Sequence, residues 1–196
     1  MLKRLSLAAA ALGLTTLPAF AHLNPEEHGS FMAGVSHPFF GADHILAMVA
    51  VGIWASQIAS ARNDRKALWI VPAAFVGTMA VGFLMAVYGV ELPFVEPAIL
   101  ASVIGLGLLV AMAARLPTAA AAAVVGAFAL FHGHAHGGEL GSAGALQFGI
   151  GFMIATAILH LAGIALGLGI ARFGSAASRT VGALTAIAGL SLAFGG

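Results

Sequence analysis

Residues 67–90 read ALWIVPAAFVGTMAVGFLMAVYGV, without a single charged side chain between Lys66 and Glu91. About 20 apolar residues in a helix suffice to cross the hydrocarbon core of a bilayer. Working outward, five further apolar stretches lie at about 30–60, 94–115, 117–136, 142–171 and 179–195. Those at 30–60 and 142–171 are long enough to tilt, kink or contain a break. The chain of 196 residues is 61% hydrophobic and only 8% charged, where a soluble domain carries about 25% charged residues. A soluble fold of this length has no way to hide so much apolar surface, whereas lipid is itself an apolar solvent. The expected fold class is all-α, a polytopic membrane helix bundle with six transmembrane helices after signal-peptide removal. The 26 glycines suit close helix packing in lipid, notably Gly105 and Gly107, Gly149 and Gly151, and the pair Gly163 and Gly167. No internal repeat supports an inverted-repeat transporter design.

Residues 1–21, MLKRLSLAAAALGLTTLPAFA, read as a signal peptide. Lys3 and Arg4 form the positive start, Leu5 to Leu17 the apolar run, and Ala19-Phe20-Ala21 the small-x-small cleavage site. The mature chain is then one domain, 22–196, beginning at His22; the competing reading is an uncleaved first span. Export of His22 and six spans place the loops near 61–66, 115–118 and 172–178 inside. Arg62, Arg65, Lys66, Arg115, Arg172 and Arg179 lie there, which is every Lys and Arg of the mature chain. The outer segments carry Glu26, Glu27, Glu91, Glu96 and Glu139 and no basic residue. That pattern obeys the positive-inside rule and predicts a bacterial inner-membrane protein, multi-pass, with both mature termini periplasmic. The lipid bilayer is one partner, and a homo-oligomer is left open. A net charge of +1 without a basic patch gives no nucleic-acid partner.

Ionisable groups inside such spans cost about 2.5–3.5 kcal/mol each on insertion scales, so they face a cavity or a partner. The first cluster is His37-Pro38-Phe39-Phe40-Gly41-Ala42-Asp43-His44, followed by Met48. On a continuous helix His37, Gly41, His44 and Met48 share a stripe, with Gly41 leaving room for an ion and Asp43 beside it as a flank or an orienting acceptor. Pro38 favours a helix start or kink and makes that alignment approximate. The second cluster is Phe131-His132-Gly133-His134-Ala135-His136-Gly137-Gly138-Glu139. His132 and His136 share a helix face, His134 faces elsewhere unless the helix unwinds, and Glu139 adds a carboxylate. His160, inside the fifth span, reads as a lower rung of a path or as a hydrogen-bonded packing residue. Glu96 is a weaker candidate, and His22 and His28 with Glu26 and Glu27 are candidates for collecting metal at the mouth or an ordinary solvated tail.

Imidazole with carboxylate suits borderline divalent ions such as nickel, cobalt or zinc, and not magnesium or calcium. The chain has no Cys, so thiolate sites are excluded. No phosphate-binding loop is present, and no permanent cofactor is expected. The leading reading is a permease and not an enzyme. An intramembrane metal-dependent hydrolase holding zinc in the same cluster is the alternative, and a metal sensor or chaperone scaffold is the third.

The run from His37 through Asp43 and His44 to Met48-Val-Ala-Val-Gly52 resembles the HupE/UreJ family of hydrogenase and urease accessory membrane proteins. The runs Phe131–Glu139 and Ala157-Ile-Leu-His160-Leu-Ala-Gly163 also resemble that family, and Leu92-Pro93-Phe-Val-Glu96 less distinctively. The resemblance extends over essentially the whole chain. It implies a nickel permease serving a nickel enzyme, with His37, Asp43 and His44 as key residues.

Overall fold

The computed structural model describes residues 25–137 and 144–195. The expected signal peptide, His22 and Glu139 lie outside the described residues, as do the side chains of residues 25–30, His28 included. Every element among the described residues is helical: α1 (Pro25–Phe40), α2 (Ala42–Arg62), α3 (Ala67–Val87), α4 (Val95–Met112), α5 (Thr118–Gly137), α6 (Ala145–Ile170), a 3-10 turn (Ala171–Phe173) and α7 (Ser175–Gly195). Six of these, α2 to α7, are long and apolar enough to cross a membrane, with α6 extended by the 3-10 turn. The fold is an all-α bundle of multi-pass membrane type.

The stretch at 30–60 is two helices and not one. The chain leaves the helical path at Gly41, where φ is −83° and ψ is 115°, and α1, with 16 residues, ends just before it. The expected helical stripe through His37, Gly41 and His44 is therefore incorrect. The break also falls three residues beyond Pro38, which the last turn of α1 accommodates. Glycine weakens a helix interior by about 1 kcal/mol, and here its bare backbone has a further use. A Cβ on Gly41 would lie 2.8 Å from His44 Nδ1 and 3.0 Å from Asp43 Oδ1. Asp43 falls in the first turn of α2, where the positive end of the helix dipole favours a carboxylate. The other long stretch, α6, runs unbroken for 26 residues. The last span starts at Ser175 and not near 179, directly after Gly174 with φ 95°.

Helix α2 is the axis of the bundle. Of its apolar stretch 67% is buried within the protein, against 28–39% for the other five spanning helices, which therefore present most of their surface to lipid. Glycines set the closest approaches in reciprocal pairs. Side chains added at Gly52 and Gly163 would strike the carbonyls of His160 and Val49, fixing α2 against α6. Gly82 and Gly133 do the same for α3 and α5, meeting the carbonyls of Leu130 and Met79. Gly107 and Gly182 join α4 to α7, and Gly34 and Gly151 join α1 to α6. Close backbone contact of this kind is how helices associate when surrounding lipid removes the hydrophobic drive. Gly167 fits the same use against Ser56, and Gly149 packs under the Phe83 ring, whereas Gly105 makes only ordinary contact with Phe128.

One end of the bundle holds the basic loops. Asn63 in the left-handed conformation (φ 52°) closes α2, its N–H bonded to the Ala59 carbonyl. Arg62 Nη1 donates to the Arg115 carbonyl at 3.3 Å, and Arg179 Nε to the Ala111 carbonyl at 2.8 Å. Thr118 donates its hydroxyl to Asp64 at 2.6 Å. That bond, aided by the Lys66 amide and the charges of Lys66 and Arg62 against a small burial cost, holds the Asp64 carboxyl below its ordinary range. One turn or more further in, Trp54 Nε1 donates to the Ala114 carbonyl at 2.8 Å and Gln57 Nε2 to the Val110 carbonyl at 3.1 Å. Gln57, uninformative in isolation, thus ties α2 to α4.

Candidate metal centre

The end opposite the basic loops brings three imidazoles together. His37 comes from the last turn of α1 and His44 from the first turn of α2, on either side of the Gly41 break. His136 comes from the last turn of α5, which rises beside α3 in parallel register, Gly133 at Met79 and Gly137 at Phe83. One ring nitrogen from each of the three lies within 4.8 Å of the other two. Among the described residues this is the one group of three or more His, Asp or Glu so disposed. The ring centroids of His37 and His136 are 4.3 Å apart, those of His44 and His136 4.8 Å, and those of His37 and His44 5.4 Å.

Asp43 joins through His44. Its Oδ1 stands 3.0 Å from His44 Nδ1, a contact off hydrogen-bond alignment in which the charge of the carboxylate still favours the proton on Nδ1 and the lone pair on Nε2, towards the cluster. His44 Nε2 is 2.9 Å from His136 Nε2. Two imidazole nitrogens at right angles on one borderline divalent ion, each about 2.0–2.1 Å from it, stand about 2.9 Å apart. Without an ion the same distance is an N–H···N hydrogen bond. Phe152 on α6 backs the group, 5.1 Å from the His136 ring, 5.6 Å from His44 and 5.9 Å from His37. Phe148 stacks on Phe152 and also meets His37. His44 and His136 are buried, His37 is half-buried, and Asp43 is 28% exposed. The carboxylate therefore sits at the opening of the centre.

The remaining candidates separate. His132, one turn before His136, does not join the three: its Nε2 is bonded to the Ser102 hydroxyl at 2.8 Å, although its ring is 5.3 Å from that of His44. His134 faces away, its Nε2 donating to the Val90 carbonyl at 2.7 Å. His160 is deeper, its ring 5.0 Å from Phe75 and neither nitrogen hydrogen-bonded. Met48, one turn below His44, is fully buried in the core. Glu96 stands exposed in the first turn of α4. Sequence reasoning missed Ser102, Phe75, Phe148 and Phe152. A serine in an apolar span ordinarily satisfies itself on its own helix, as Ser102 also does toward Ile99. A phenylalanine in a membrane helix has no pattern to set it apart.

The order and spacing of these residues have counterparts elsewhere. The chain matches the HupE / UreJ protein family over residues 10–192. It belongs to that family. It is 48% identical over 189 residues to Protein HupE of Rhizobium leguminosarum bv. viciae, covering 94% of this chain and 95% of that relative. No solved structure matches it. Membership in the HupE/UreJ family makes the chain a hydrogenase/urease accessory type of membrane protein, and the centre lies within the matched region.

Proposed function

We propose that this protein is an inner-membrane permease for a divalent transition metal, nickel first, with cobalt or zinc as chemically similar cargo. The observation that carries the reading is the convergence of His37, His44 and His136 from three separate helices at one end of the bundle. Imidazole ligands with a neighbouring carboxylate suit nickel and its borderline neighbours. The 2.9 Å spacing of the two Nε2 atoms matches ligands at right angles, and nickel accepts square-planar or octahedral surroundings, whereas zinc prefers tetrahedral ones. Among the described residues three protein nitrogens meet, an incomplete set that leaves an ion open positions and lets it leave.

Orientation follows from charge. The basic loops gather at the opposite end, and the positive-inside rule puts that end in the cytoplasm. The centre then faces the periplasm, and both mature termini do as well. Asp43 at the opening attracts the cation, and the membrane potential favours its entry by about 2.3 kcal/mol per charge per 100 mV.

Uptake of radioactive nickel into cells, and flux into liposomes holding the purified protein, test the proposal. We expect His44→Ala to reduce both to background while expression in the membrane is kept. Wild-type uptake in that variant would remove the centre from the pathway. A tightly held stoichiometric ion with no flux would instead favour an intramembrane metal-dependent hydrolase.

A further inference from the structure

Below the outer centre lie two imidazoles that the lipid-facing fold leaves incompletely satisfied. His132 is fully buried and His160 is 1% exposed. Neither nitrogen of His160 has a hydrogen-bond partner, and Nδ1 of His132 has none. The two belong to different helices, α5 and α6, and both face one aromatic ring, that of Phe75 on α3, at centroid distances of 5.7 and 5.0 Å. His132 is also adjacent to the outer centre, with ring centroids 5.3 Å from His44.

Ser102 decides which atom of His132 is free. Its hydroxyl is 2.6 Å from the Ile99 carbonyl and 2.8 Å from His132 Nε2. A hydroxyl has one proton to give. A carbonyl only accepts, so the proton goes to Ile99, and the serine oxygen accepts Nε2–H from His132. The imidazole is thereby held with its proton on Nε2 and its lone pair on Nδ1, the atom without a partner. An imidazole oriented through one nitrogen so that the other stays open is the arrangement that metal-ligating histidines adopt. One helical turn before His160, Thr156 directs its hydroxyl at the Met79 sulfur (3.7 Å) and is fully buried. It makes no hydrogen bond to His160, both of whose nitrogens are without a partner.

We propose that His132 Nδ1 and His160 form a second, inner station for the divalent ion, receiving it from His44, and that Ser102 is the positioning residue of that station. The inference rests on the permease reading and adds to it a discrete stop inside the membrane. The cation is passed between neutral ligands with lone pairs turned toward it, without a closed coordination shell at either stop.

The test is titration of the purified protein in detergent with Ni2+ alone, read as stoichiometry and affinity, beside Ni2+ flux into liposomes. The wild type should bind two ions. His160→Ala should bind one, with the outer affinity unchanged, and should lose flux at least 10-fold. Ser102→Ala should weaken the inner site about 10-fold or more and leave the outer site unchanged, and Ser102→Thr, which keeps the hydroxyl, should restore it. The serine pair decides the matter if His160→Ala does not fold. Two-site binding that survives His160→Ala, or inner affinity indifferent to Ser102→Ala, overturns the station. Flux lost in His44→Ala but untouched in His160→Ala overturns it too and leaves the permease standing. Two-ion binding lost in His160→Ala, with no flux in any variant, supports the station and removes the permease.

Discussion

The two ends of this bundle treat polar groups in opposite ways. At the basic end several polar side chains are tied to protein partners, Arg62 to Arg115, Arg179 to Ala111, Asp64 to Thr118 and Trp54 to Ala114, although Gln57 Oε1 is buried there without one. Most of those partners are main-chain carbonyls in the last turn of α4 or in the loop just after it. At the other end, and below it, His132 and His134 each keep one protein partner, but His44 and His136 face one another and both nitrogens of His160 and Nδ1 of His132 have no hydrogen-bond partner. Leaving a buried polar group unpaired costs about 1–3 kcal/mol, a cost that the binding of an ion at the proposed stations would offset. The contrast separates polar residues that build the bundle from those that the proposed permease would use.

Substitutions on the two sides should break or sharpen that contrast. The largest effect is expected from Gly41→Leu. Its Cβ alone would press on the Asp43–His44 pair, and nickel uptake should fall to background while the bundle still forms; unchanged uptake would mean the break does not shape the centre. Asp43→Asn keeps the shape and removes the charge that orients His44. A 10- to 100-fold loss of nickel affinity, about the usual effect of losing such an orienting partner, is expected in a binding titration, and loss of membrane expression would instead make Asp43 structural. The smallest effect belongs to the basic end. Trp54→Phe removes one hydrogen bond to Ala114 and should lower thermal stability by about 1 kcal/mol, with nickel affinity untouched. A change in affinity there would erase the distinction between the two ends.

The basic end was also the more legible in sequence. Charged loops between uncharged runs of spanning length admit one arrangement, and α3, α4 and α5 begin and end within a few residues of where hydropathy puts them. The opposite end was legible in composition and not in geometry. The residues of the two histidine clusters stand out because lipid makes them costly. The helical spacing that grouped His37 with His44 was nonetheless the wrong reason for their meeting, since the chain turns at Gly41 between them. The same spacing paired His132 with His136, and the fold separates them by giving His132 to Ser102.

By itself the sequence determined that this is a multi-pass helical membrane protein, which end carries the positive charge, and which few residues are too polar for their surroundings. Those follow from transfer free energies, which are properties of residues taken in order along the chain. The tertiary structure alone decided that His136 and not His132 completes a three-imidazole centre, that His134 turns away, and that Ser102 reaches His132 from thirty residues off. Which side chains meet depends on helix register and crossing, set by reciprocal glycine contacts between helices distant in the chain, and no local pattern encodes a distance across that gap.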